Sequence, residues 1–113
     1  MRLLEQVQRH EKEFGVRKVR VNERIQKMCE LAVAKWRYGP QLVILIEECA
    51  ELVKEACKVL RGNERQDKFI EELADVCVMC KQMQLILQVS DEELEARMEA
   101  KMIRTMERGG IKV

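Results

Sequence analysis

Two short acidic stretches carry residues whose type and spacing could do chemistry. In EECAE, Glu48 and Glu51 lie three apart and share a helix face, and in EELAD, Glu72 and Asp75 repeat the spacing. The helical neighbours Ile44, Leu45 and Leu52 around Glu48 are apolar. Asp75 has Val78 and Met79 on one side and only Glu71 and Glu72 on the other. Like charges one turn apart (Glu47–Glu51, Glu51–Glu55, Glu71–Asp75) each cost about 0.2–0.5 kcal/mol in a plain helix. A carboxylate among apolar residues costs more unless something compensates it. A bound cation would resolve both costs. The two pairs are also equally far from the Arg61–Asn63 break, so an antiparallel hairpin would set all four acids at one level, roughly 18 Å from its turn. Oxygen-only ligands suit Mg²⁺ or Mn²⁺, which keep some of their waters for a phosphate group. The competing reading is a pair of solvated acidic faces with Glu–Lys pairs, which Lys68–Glu72 fits. A di-iron carboxylate bundle needs Glu-x-x-His, and the chain has no such motif.

Basic residues are placed to complement such a centre. Lys54, Lys58 and Arg61 continue the Glu51 face toward the break, and Lys101, Arg104 and Arg108 form a second row near the C-terminus. Cations beside a metal cluster neutralise a polyphosphate, although either row alone also suits a solvated helix face. There is no glycine-rich phosphate loop and no Ser–His or Cys–His arrangement. The single histidine, His10, is remote from the acids. Five cysteines, an odd number, lie within helical patterns, which points to a reducing compartment and not to a disulfide framework. Cys77 and Cys80 form a C-x-x-C, but no second pair follows to complete a four-ligand zinc site. Any catalysis must rest on metal and carboxylate.

The elements that position these residues are helices. About half of the chain is Ala, Glu, Lys, Leu or Arg, with one proline and five glycines, which excludes a turn-rich β-sandwich or barrel. Hydrophobic residues make up 47% and charged residues 36%, so the chain is neither disordered nor membranous. The uncharged run Gln82–Ser90 is far too short to span a bilayer. The charged N-terminus has no secretory hydrophobic region, so a cytoplasmic location is expected. A net charge of +1 gives no drive toward a nucleic acid polymer.

Leu3, Leu4, Val7 and Phe14 predict a first helix over residues 2–13. Asn22 caps a second, running to about Arg37 and burying Ile25, Met28, Cys29 and Ala32, with Trp36 left open between core and surface. Gly39-Pro40 breaks the chain, with Pro40 opening a third helix that runs from Gln41 to Leu60 or Arg61 and stops at Gly62-Asn63. A fourth spans about Gln66 to Gln88. Ser90 and Glu93 form a capping box for a fifth, which ends near Gly109-Gly110. The third and fourth helices are apolar over most of their circumference, more than one short chain easily buries. The expectation is therefore an all-α homo-oligomer, most simply a two-fold dimer whose paired hairpins form a four-helix bundle.

The run KWRYGPQLVILIEECAELVKEACKVLRG…FIEELADVCVMCKQMQ resembles the MazG-like all-α nucleoside triphosphate pyrophosphohydrolases, over about Ile25 to Arg108. The resemblance implies Mg²⁺-dependent (Mn²⁺ as an alternative ion) cleavage of an NTP to NMP and pyrophosphate, by a homodimer or homotetramer of helical hairpins with its site near a subunit interface. Carried over by motif, Glu48, Glu51, Glu72 and Asp75 are metal ligands, and Glu47 matches the doubled acid of the motif. Lys101 and Arg104 match the family's later basic positions, and Lys54 and Lys58 are phosphate contacts by position. Trp36 and Tyr38 flank the Gly-Pro break, where they could stack on a base with Gln41 hydrogen-bonding to it, although Trp36 equally suits a core position. Residues 1–20 have no counterpart and form an arm on a single domain over residues 21–113. Two other readings stay open: a relative acting on dUTP or phosphoribosyl-ATP, and a non-catalytic helical interaction module.

Overall fold

Asn22 shows how locally the chain sets its own boundaries: its side-chain oxygen accepts the backbone N–H of Ile25 at 2.9 Å and starts α1, Glu23–Lys35. The computed structural model describes residues 22–62 and 66–113, and the helix predicted over residues 2–13 lies outside them, as does the arm of residues 1–20. Three more helices follow: α2, Tyr38–Leu60; α3, Gln66–Ile86; and α4, Asp91–Arg108. No strand occurs among the described residues, and none of their helices is long and apolar enough to cross a membrane. The all-helical expectation holds. The residues Asn22–Val89 form one compact unit, in which α3 packs against both α2 and α1. The segment Ser90–Val113, which carries α4, belongs to a second unit.

One predicted boundary is corrected. The break between α1 and α2 falls at Trp36-Arg37, and Gly39-Pro40 sits inside the first turn of α2. The first backbone donors of a helix have no intrahelical acceptor, so proline is tolerated there without losing a bond. The first α2 bond runs from Gln41 N–H to the Arg37 carbonyl, at 3.2 Å.

The helix ends follow the predicted stops. Gly62, at φ +86, closes α2 with its N–H donating to the Val59 carbonyl at 3.0 Å. α4 ends on Gly110, at φ +72, with the Ile111 N–H reaching back to the Met106 carbonyl at 2.8 Å. Ser90 caps α4 by accepting from Glu93 N–H at 3.1 Å, but the capping box is one-sided, because the Glu93 carboxylate turns to Arg97 at 3.2 Å.

The end of α3 uses the same geometry without glycine. Val89 N–H donates to the Gln84 carbonyl at 3.1 Å, which forces Gln88 to φ +56. An L-residue in this left-handed conformation costs roughly 1 kcal/mol relative to glycine. Gln88→Gly should therefore stabilise the protein by about 0.5–1 kcal/mol, read as a higher midpoint in urea with an unchanged slope. An unchanged or lower midpoint would show that the Gln88 side chain contributes more than its backbone costs.

The core is small and half polar. Among the described residues, Cys29, Met79 and Met83 are the buried hydrophobic ones, and Gln41, Glu55 and Glu72 are buried as well. Met28, expected inside, is 51% exposed, and Trp36 at the end of α1 is 53% exposed, so neither is a core residue. α2 buries or half-buries the line Gln41, Leu45, Glu48, Leu52 and Glu55, a 4-3-4-3 spacing that selects one face.

Candidate metal centre

That inward face of α2 carries Glu48 to the α2–α3 contact. One carboxylate oxygen from each of Glu48, Glu72 and Asp75 lies within 4.8 Å of the others. The hairpin register predicted from the sequence is thus realised for these three acids, on two helices. Glu72 is buried, Glu48 half-buried and Asp75 exposed, so the cluster opens toward solvent on the Asp75 side. Among the described residues, no cysteine or histidine joins such a group.

The cluster is electrostatically strained as it stands. Burial pushes the Glu48 carboxyl above the usual carboxylate range, and the charge of Asp75, a hydrogen bond shared with Asp75, and the charges of Glu72 and Glu47 push it further. A proton held between Glu48 and Asp75 answers that crowding in one way. A divalent cation answers it better, and three converging carboxylate oxygens suit a hard ion of the Mg²⁺ or Mn²⁺ type.

The remaining candidates fall in different places. Glu51 is exposed and outside the three-acid group, because it projects from the flank of α2, off the inward line. Glu47 and Lys54 are exposed on the same helix. Lys58 is half-buried, with its ammonium 3.1 Å from Glu55 Oε1, where position alone suggested a phosphate contact. Gln41 is 1% exposed, and its amide donates to the Trp36 carbonyl at 3.0 Å and the Ala32 carbonyl at 3.3 Å. Those bonds direct the amide inward, to the α1–α2 corner. Trp36 and Tyr38 keep much of their surface in solvent at that corner, with Lys35 Nζ 5.8 Å from the indole centroid. Lys101 and Arg104 are exposed on α4, and among the described residues neither forms an ion pair.

Two residues matter more than the sequence reading assigned. Glu55 is 2% exposed, and its place seven residues after Glu48 on the inward line was the available signal. Lys68 donates to Glu72 Oε1 at 3.0 Å and lies 3.9 Å from Glu71. That pair is no solvated decoration, since the Glu72 side chain is only 7% exposed. The hydrogen bond to Glu72 raises the Lys68 ammonium above its ordinary range, with the charges of Glu72, Glu71 and Glu55 adding to it. Burial, reinforced by Cys77 and Cys49, raises the Cys80 thiol and keeps it protonated.

No family model, curated relative or solved structure matches the chain.

Proposed function

We propose that the chain is a MazG-like, metal-dependent nucleoside triphosphate pyrophosphohydrolase, converting a (d)NTP and water to (d)NMP and pyrophosphate. The observation that carries this reading is the convergence of Glu48, Glu72 and Asp75 from two antiparallel helices, at the level the doubled acidic motif requires. A bound Mg²⁺ or Mn²⁺ would supply Lewis acidity at the phosphate oxygens and a water of lowered pKa. The protein's part is to hold that charge and orient the triphosphate. Glu48, Glu72 and Asp75 provide the oxygen ligands, and Glu51 extends the acid set along α2. Glu47 adds negative charge beside Glu48 at the exposed edge. Lys58 and, by the resemblance alone, Lys101 and Arg104 offset the charge of the triphosphate, and Trp36 and Tyr38 offer ring surface for a base.

The same reading places the enzyme in the cytoplasm as a homodimer or homotetramer of helical hairpins. Exposed apolar side chains along α2 and α3 support it: Ile46 is 67%, Val53 62% and Ile70 58% exposed. A single protomer leaves more such surface than a monomer usually tolerates.

The test is a pyrophosphate-release screen over natural and damaged (d)NTPs, including dUTP and phosphoribosyl-ATP, with Mg²⁺ or Mn²⁺. The expected result is release of equimolar monophosphate and pyrophosphate from at least one compound, abolished by EDTA. Strong turnover of only dUTP or only phosphoribosyl-ATP would move the chain to another branch of the superfamily. Silence across the panel, with no binding of Mn²⁺, would leave a helical interaction module.

A further inference from the structure

The face of α2 opposite its carboxylates has its own periodicity. Val43, Ile46, Ala50, Val53, Cys57 and Leu60 follow spacings of 3, 4, 3, 4 and 3, the heptad pattern of a two-helix seam. All six are exposed: Val43 is 54%, Ile46 67%, Val53 62% and Leu60 87% solvent-accessible, with the small Ala50 and Cys57 open between them. The inward line Gln41, Leu45, Glu48, Leu52 and Glu55 has a similar alternation and is occupied by the packing of α3, with Gln41 also bonded to the end of α1. α2 is therefore two-sided, with one seam filled and one open along a helix about 34 Å long.

We infer that the open seam pairs with the same seam of a second copy of this chain, the two α2 helices running antiparallel around a two-fold axis. The charges flanking the seam select that occupant. In an antiparallel pair, the register that uses all six positions sets Val43 against the partner's Leu60, Ile46 against the partner's Cys57 and Ala50 against the partner's Val53. Large side chains then face small ones in the inner layers, as interdigitation needs. The seam is flanked on one side by Glu47, Lys54 and Arg61. In this register Glu47 meets the partner's Lys54, and the two-fold repeats the contact as Lys54 with the partner's Glu47. A parallel pair would instead set these charges beside the partner's uncharged flank of Leu42, Cys49 and Ala56, and no ion pair would form. The seam is complementary to itself in one orientation, as an isologous interface requires. On the other flank, Leu42, Cys49 and Ala56 are uncharged and leave room for close approach. The inference gives the proposed oligomer a specific surface and stands independently of catalysis.

The test uses the full chain, light scattering across micromolar concentrations, and four variants. The wild type should give at least twice its 13.3 kDa protomer mass. Ile46→Glu should lose half of that assembly mass or more while keeping its helical circular dichroism, because Ile46 touches solvent and not the core in one protomer. Glu47→Lys and Lys54→Glu should each weaken association at least about tenfold by setting like charges together. The double variant Glu47→Lys/Lys54→Glu should restore it, because the pair is then reversed and again complementary. A monomeric wild type would overturn both the seam and the oligomer. An oligomer indifferent to Ile46→Glu would overturn the seam alone, leaving the oligomer to another surface. Singles that weaken with no rescue in the double variant would overturn the antiparallel register.

Discussion

Glu48→Gln and Asp75→Asn should each reduce pyrophosphate release to less than about a tenth of wild type, a loss of more than about 1.4 kcal/mol of transition-state stabilisation. Both side chains supply oxygens to the three-acid cluster, and an amide offers a weaker, uncharged ligand. The fold should survive, and the metal-free Glu48→Gln protein should melt higher than wild type. Glu48 carries its charge against burial and against Asp75, Glu72 and Glu47, so a neutral isostere removes an unfavourable ionisation. The pH dependence has a definite sign. A carboxyl whose folded pKa is raised binds its proton more tightly in the folded state, so its unfavourable contribution is fully present above the folded pKa. That contribution fades as pH falls through the folded value toward the unfolded one. The melting advantage of Glu48→Gln should thus be largest near neutrality and shrink as pH falls into the carboxylate range. Differential scanning with EDTA present measures this directly, and an advantage that grows on acidification would refute the strained cluster.

Lys101→Ala or Arg104→Ala should lower kcat/KM at least tenfold, about 1.4 kcal/mol, with a melting temperature that barely moves. The two lie three apart on α4, on one face, and both are exposed. Glu95 and Glu99 were available as local partners, yet among the described residues neither pairs with Lys101 or Arg104, while Glu93 pairs with Arg97 at 3.2 Å. The charges of Lys101 and Arg104 are therefore not committed within the helix, and their removal costs little folding energy. Mn²⁺ affinity without nucleotide should be unchanged in both variants. Loss of stability with intact turnover would assign the row to packing instead, and the phosphate contacts would pass to Lys58.

Helices were legible in the sequence because apolar spacing and caps act locally. Asn22, Ser90, Gly62 and Gly110 each mark an end through a bond to a residue within five positions. The level match of Glu48 and Asp75 was legible for a similar reason, since a hairpin's register follows from counting outward from its turn. Three things were not. Gly39-Pro40 looked like a break because proline's cost depends on whether its N–H was needed, and in the first turn of α2 it was not. Glu55 was read only as one of a repelling pair with Glu51, although burial is decided by the face the helix presents to α3. Gln41 looked like a free amide for a ligand, while the corner geometry that directs it to the Ala32 and Trp36 carbonyls is tertiary.

That Gln41 clamp makes the corner between α1 and α2 a fixed fitting. The same helix that begins at Tyr38 carries Glu48 ten residues on, so the Tyr38 ring and the Glu48 carboxylate stand on one rod, about 15 Å apart along its axis. The spacing cannot adjust without unwinding α2, and Trp36 cannot leave the start of that helix without breaking a part-buried hydrogen bond. α2 is in that sense a ruler: a ligand that touches both ends must have the length that the rod sets.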